Sequence, residues 1–203
     1  MLRHVAAFGL TVGLLGMTPA LAQGVRAPAQ DSGLRGEWRR AGPTFVCQVT
    51  SANKLQSPTP DQLIQACQRM GSISIGISEA ALTAALGQPH RKLPQPDNAQ
   101  AYVYFLGQQG QPPYFIAVTK AGRAVALQAS GETPTPASSF SQINLGDSTE
   151  KLRSQFGAAF NVEPSGLPDT DLWSYGVWPF TFEVKNDRVT SIRITESTDK
   201  PAR

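Results

Sequence analysis

Few side chains in this 203-residue sequence are of the kind that does chemistry. Histidine occurs only at His4 and His90, and cysteine only at Cys47 and Cys67. His90 follows Gly87-Gln88-Pro89 and adjoins Arg91-Lys92. Neighbouring cations disfavour the imidazolium and do not make a triad base. A Ser-His-Asp site also needs an orienting carboxylate, and Asp97 is the only acid nearby in sequence. Asp169-Thr170-Asp171 offers oxygens to calcium, but no glycine-centred ligand loop accompanies it. Phosphate-cradling glycine loops, metal-ligand spacings and nucleophile elbows are absent from the sequence. A carboxylate pair for glycoside cleavage would be set by the fold and not by spacing, so a hydrolase of that kind stays open as a third-ranked reading. No catalytic residue, metal ligand or cofactor is expected, and the chain reads as a non-enzyme.

The cysteines are read through the N-terminus. Met1-Leu2-Arg3-His4 is a short basic start, Val5 to Met17 carries no charge, and Ala20-Leu21-Ala22 is a small-x-small cleavage site before Gln23. This is the pattern of a secretory signal peptide over residues 1–22, too short to span a bilayer. Export to the periplasm or beyond follows, with a soluble mature chain cut after Ala22 and no stable membrane insertion. No cysteine follows the cleavage site, so a lipid anchor of the bacterial lipoprotein kind is not expected. An oxidising compartment favours a disulfide, and a single pair leaves one connectivity, Cys47–Cys67. The rival reading, a redox or nucleophilic thiol, has Arg69 near Cys67 but no CxxC.

Those residues need a frame. Hydrophobic residues make up 40% of the chain, enough for a packed core, while Gly 18 and Pro 16 imply many turns. Bases and acids number six and three over residues 23–70, four and three over 71–140, and seven and nine over 141–203. A nucleic-acid binder would concentrate its excess far more, so no nucleic acid is expected as a partner.

Ile73 to Gly87 and Ile143 to Gly157 share Ile, Gly, Ser, Leu and Gly in register, with Ile75/Leu145 and Leu86/Phe156 as conservative pairs. Recurrence of this kind reads as a duplicated supersecondary unit. Ile73 and Ile75 alternate with serines as a half-buried strand does. Ser78 and Ser148 stand where helix N-caps belong, and Gly87 and Gly157 where a helix ends. Three strands follow each helix: Ala101–Leu106, Pro113–Thr119 and Arg123–Ala129, then Leu172–Val177, Phe180–Lys185 and Val189–Thr195. Lys120-Ala121-Gly122 and Asn186-Asp187-Arg188 are the hairpin turns.

The fold class expected is α+β: two tandem repeats, each a short helix packed on its own small antiparallel sheet in the order β-α-β-β-β, with an N-terminal disulfide-tied segment. The parts are a flexible arm (23–44), the disulfide-tied segment (45–70), repeat 1 (71–131), a linker (132–140), repeat 2 (141–196) and a tail (197–203). Residues 89–98 and 158–171 are expected as loops between helix and sheet. Tyr102–Leu106 and Tyr114–Val118 are apolar on both faces, so one face needs a cover, and the Cys47–Cys67 module is the expected one. Trp173, Tyr175 and Trp178 surround a tight turn and are the expected partner-binding residues, Trp178 above all, because a hairpin tip offers few ways to bury it.

The repeated pattern, I-x-I/L-G-x-S-x-x-x-L-x-x-x-L/F-G followed by an aromatic strand and a hairpin, resembles the BamE (SmpA/OmlA) family and the tandem-repeat beta-lactamase inhibitor proteins. The resemblance covers Gly71 to Ser130 and Ser141 to Glu196. It implies exported, non-enzymatic modules that act by binding other proteins across the sheet. The expected function is therefore an exported soluble protein that engages an envelope or secreted protein partner through its antiparallel sheets. The runner-up is a binder of a small envelope ligand in a groove between the repeats. Oligomeric state stays open.

Overall fold

The computed structural model describes residues 34–51 and 58–196. The expected leader, the start of the arm and the tail lie outside these residues. In chain order the elements are β1 (Leu34–Ala41), β2 (Thr44–Ser51), α1 (Pro60–Cys67), β3 (Arg69–Met70), β4 (Ile73–Ser74), α2 (Glu79–Leu86), β5 (Arg91–Gln95), β6 (Ala99–Phe105), β7 (Tyr114–Lys120), β8 (Arg123–Ser130), a 3-10 turn (Pro136–Ser138), α3 (Thr149–Phe156), β9 (Asn161–Pro164), β10 (Thr170–Ser174), β11 (Phe180–Lys185) and β12 (Arg188–Thr195).

Local chemistry sets α2 and α3 in the same way. The Ser78 hydroxyl accepts from the Ala81 amide and the Ser148 hydroxyl from the Lys151 amide, each at 3.2 Å. Each serine thereby satisfies a donor that the first helical turn leaves orphaned. Gly87 and Gly157 close the helices at φ 79° and 76°. A two-residue hairpin loop of type I′ needs both residues at positive φ, and Ala121-Gly122 and Asn186-Asp187 supply it at 50°, 76°, 49° and 57°.

The sheet overturns the expected class. Strands β5-β6-β7-β8-β12-β11-β10-β9 form one continuous eight-stranded antiparallel sheet. The join is β8 against β12, from Ser130 opposite Ser191 to Ala126 opposite Thr195. There are not two small sheets with a helix each, and the order within each half is not β-α-β-β-β. The leading strands expected at Ile73–Ile75 and Ile143–Leu145 do not enter the sheet. Ile73–Ser74 pairs with Arg69–Met70 in a separate two-stranded ribbon, and Ile143 makes an isolated bridge to Phe140. In their place, β5 and β9 occupy segments expected as loops and form the two outer edges. Among the described residues, no helix is long and apolar enough to cross a membrane.

Cross-strand partners share a face, so the registers sort the side chains. Tyr104, Phe115, Ala129, Ile192, Phe182 and Trp173 form one continuous row, and all six are buried. The helices pack on that face: Leu82 of α2 and Leu152 and Phe156 of α3 are fully buried in the same core.

The N-terminal module joins the same face. Leu34–Ala41, expected as part of the arm, is a strand paired along its whole length with β2. The Cys47–Cys67 disulfide ties β2 to the end of α1. Gly36 makes that approach possible, because a Cβ there would lie 2.6 Å from Cys67 Sγ. Phe45 inserts its ring among Phe156, Phe160, Tyr175, Trp178 and Phe180, with centroids 5.3 to 6.2 Å away. The Trp38 amide donates to Ser141 Oγ, and Gln155 Nε2 donates to the Trp38 carbonyl. The module therefore covers the helix side of the second half, not the outer face of β6 and β7 as expected. The linker is packed too: Ser138 and Phe140 are buried, and the Gly71 amide donates to the Ser139 carbonyl. Gly146 enforces another close pass: it sits at φ 78°, and a Cβ would lie 2.5 Å from the Glu132 carbonyl oxygen.

Candidate functional site

With the helices and the N-terminal module on one side, the other face of the sheet has none of the described helices over it. Three rows of side chains cross it. One runs Val103, Ile116, Gln128, Arg193, Thr181, Ser174. A second runs Phe105, Tyr114, Ser130, Ser191, Glu183, Leu172. A third runs Leu93, Ala101, Val118, Ala126, Thr195. The face is graded: apolar over β5 to β7, polar from β8 to β10.

At the β8–β12 seam three side chains hold one another. Gln128 Nε2 donates to Ser130 Oγ and to Ser191 Oγ, each at 3.1 Å, and the two hydroxyls lie 3.1 Å apart. A hollow of about 390 Å³ adjoins them, lined by Leu172, Thr181, Glu183 and Arg193. A wider one of about 740 Å³ continues along the seam past Tyr114, Thr170, Lys185 and Thr190. Gln128, Ser165 and Glu183 line both, so the hollows form one trough. Glu183, Lys185 and Arg193 make no ion pair among the described residues.

Of the expected partner-binding residues, Trp178 lines the smaller hollow, while the other two lie elsewhere. Trp173 and Tyr175 are 6% and 0% exposed and sit in the core, facing the helices. A buried ring cannot touch a partner, so these two are corrected to core residues. Their alternation along β10 puts them on the helix face, where α3 covers them. Trp178 is half-buried, its ring 5.4 Å from both Trp38 and Phe45 in edge-to-face contact. The N-terminal module thus covers part of Trp178, while Val177 at the hairpin tip stays 79% exposed. His90 is exposed, its Nδ1 accepts from the Phe105 amide, and its ring lies 4.8 Å from Phe105. Among the described residues, no group of three or more His, Cys, Asp and Glu side chains could hold a metal ion.

The sequence does not announce the trough, because its residues come from strands more than 60 positions apart. The one available signal was composition: Gln128 and Ser130 interrupt the run of β8 that is otherwise apolar from Ala124.

Beneath the helix side lies a second polar group. Thr119 Oγ1 donates to Glu79 Oε1 at 2.9 Å, anchoring the start of α2 to β7. Burial, followed by the hydrogen bond to Glu79, raises the Tyr102 pKa. Burial likewise raises Tyr175, against the opposing pull of Arg40 and Arg153. Tyr104 is pushed up to about 12 by burial first, then by Tyr102 and Glu79. Its hydroxyl has no hydrogen-bond partner. Such an orphan is a cost, so Tyr104→Phe is expected to hold or raise stability near neutral pH by up to about 1 kcal/mol. A raised phenol stabilises fully below its unfolded value of about 10, and that contribution is lost as pH rises towards about 12. The variant should therefore also lose less stability near pH 11 than the parent. Urea unfolding at both pH values checks it, and a variant less stable at neutral pH would refute the reading.

No protein-family model and no curated protein matches the chain. Among solved structures, a DUF4309 family protein (YjgB) from Bacillus subtilis is similar with a TM-score of 0.41 at 18% identity, over 59% of this chain and 78% of that one. A cysteine-rich secretory protein (SAV1118) from Staphylococcus aureus gives 0.39 at 21%, over 65% and 48%. An extracellular protein containing an SCP domain from Bacillus anthracis gives 0.40 at 13%, over 73% and 50%. The chain spans about half the length of the latter two. Superpositions this loose leave the function to be argued from the site itself.

Proposed function

We propose that the chain is an exported, non-enzymatic binding protein that engages a protein partner of the cell envelope through the uncovered face of its eight-stranded sheet. The observation that carries the reading is the apolar half of that face. Phe105, Tyr114, Ile116 and Val118, each half-buried, share it around the buried Val103, and Leu93 beside them is 46% exposed. Contiguous apolar surface of this kind marks interaction sites in soluble proteins. The sheet edges are poorer candidates. β5 carries Pro94 and β9 carries Pro164, and a proline on an edge strand removes a donor that an added strand would need. The disulfide and the leader-like N-terminus favour an oxidising compartment.

A photo-crosslinking residue placed at Ile116 in the cell that makes the protein is the test. Ala84, exposed on α2 on the opposite side, is the control position. A higher-mass adduct is expected from position 116 and not from 84. Equal adducts from both, or none from either, would overturn the reading.

A further inference from the structure

The polar half of the face has a chemistry of its own. We propose that the trough along the β8–β12 seam binds an uncharged saccharide of a few pyranose rings. This goes beyond the protein-partner reading and stands on different residues, save Tyr114, which borders both halves of the face.

The lining excludes the other ligand classes in turn. Glu183 at the middle of the trough repels phosphate or another anion, while Lys185 and Arg193 repel a cation. Two acids, Glu132 and Glu183, balance those two bases, so the trough has no net formal charge. An apolar ligand would strand the Gln128, Ser130 and Ser191 groups without water. What remains is a neutral ligand rich in groups that both donate and accept.

The seam cluster presents that pattern. Gln128 has two amide hydrogens, and both are engaged by the serine hydroxyls. Its carbonyl oxygen is left as an acceptor. Because Ser130 and Ser191 share one hydrogen between them, the other hydroxyl hydrogen is left as a donor. Glu183 adds acceptors, and Arg193 and Lys185 add donors. Thr170, Thr181 and Thr190 add hydroxyls that serve either way. Sugar hydroxyls are donor and acceptor at once, as these groups are. Sugar rings also present flat C–H surfaces, and Pro112, Tyr114, Leu167, Pro168 and Leu172 offer apolar walls for them. Tyr114 is fixed for that purpose, its hydroxyl donating to the Gly110 carbonyl. The two hollows, about 390 and 740 Å³, are in the range of small-molecule sites; the smaller has a mixed polar and apolar lining and the wider a mostly apolar one, as a ring with both hydroxyls and C–H faces requires. An extended peptide would need apolar side pockets at alternate positions, and the seam between Gln128 and Glu183 supplies polar groups there instead.

The test is an amide-resolved NMR titration of the isotope-labelled chain from residue 23. The probes are an N-acetylglucosamine trimer and maltotriose, with inorganic phosphate and a Gly-Ser tetrapeptide as comparisons. At least one trimer is expected to give saturable shifts at Ser130, Thr181, Glu183 and Ser191. Ser165→Arg fills the trough from its loop and leaves the sheet untouched; it should weaken the effect about tenfold. Gln128→Leu, which removes the seam network, should do the same, and its amide spectrum reports whether it folds. Silence with both trimers well above millimolar concentration would overturn the proposal. So would shifts outside the trough, or shifts in the trough with the peptide or phosphate alone. The crosslink at Ile116 reads the other half of the face, so either result can fail without the other.

Discussion

Phe45→Ala is expected to cost about 4 kcal/mol of folding stability. The ring is 3% exposed and meets five other aromatic rings, three of them, Tyr175, Trp178 and Phe180, edge to face. Truncating a buried phenylalanine costs about 3–5 kcal/mol, and edge-to-face pairs add to the lost transfer term. Relaxation offers little relief, because Phe156, Tyr175 and Phe180 are held by α3 and the sheet and cannot follow the retreating side chain. Phe45 is also the contact that fastens the β1–β2 hairpin to the body, so Trp178 should gain solvent. Urea unfolding followed by tryptophan emission reads both effects. Val46→Ala is the control: its side chain is 47% exposed on the other face of the same strand, and a change within about 0.5 kcal/mol is expected. A loss below about 1 kcal/mol for Phe45→Ala would mean that the hairpin is not seated on the aromatic cluster.

Local features were legible in the sequence because one or two residues determine them. Ser78 and Ser148 cap their helices, and Ala121-Gly122 and Asn186-Asp187 turn their hairpins, as their types and spacing require. The correspondence extends to backbone bonds: the Gly76 amide donates to the Ala124 carbonyl and the Gly146 amide to the Val189 carbonyl, both at 2.8 Å. What failed was everything decided at a distance. The amide row of β8 is completed by β12, more than 60 residues away, and nothing inside either strand announces a partner beyond its own hairpin. The likeness of two segments was therefore mistaken for the independence of two sheets. Outer strands β5 and β9 were read as loops because all nine of their residues are exposed. Without a buried face, an edge strand has no hydrophobic alternation to read. β1 was hidden in the same way by Arg35, Glu37, Arg39 and Arg40, although Leu34 and Trp38 point to the core.

The aromatic residues around Gly176 show the same limit for the site. Chain order puts Trp173, Tyr175 and Trp178 together, and an exposed aromatic cluster would indeed be a contact surface. Burial depends on what arrives from elsewhere, and Phe45 and Trp38 arrive from about 130 positions upstream. That arrival turns a presumed surface into core and shifts the available face to the opposite side of the sheet.

Removing the disulfide separates these two sides experimentally. Cys47→Ala with Cys67→Ala is expected to lose about 3 kcal/mol, because the bridge closes a 20-residue separation and its removal frees the unfolded chain. Dithiothreitol on the parent should give the same loss. The origin of this loss differs from that of Phe45→Ala, and the denaturant slope tells them apart. An unbridged unfolded chain expands and exposes more surface, so the slope should rise, whereas a core cavity leaves it unchanged. The two changes are not independent, since Phe45 is two residues from Cys47 on β2 and both hold the same hairpin. Their combination should cost less than the sum, because a hairpin already released by one cannot be released again. The crosslink from Ile116 should survive in the unbridged variant at temperatures where the sheet persists, since β1 and β2 pack on the other face. An adduct lost together with the disulfide would place the N-terminal module, and not the open sheet, in the partner's grip.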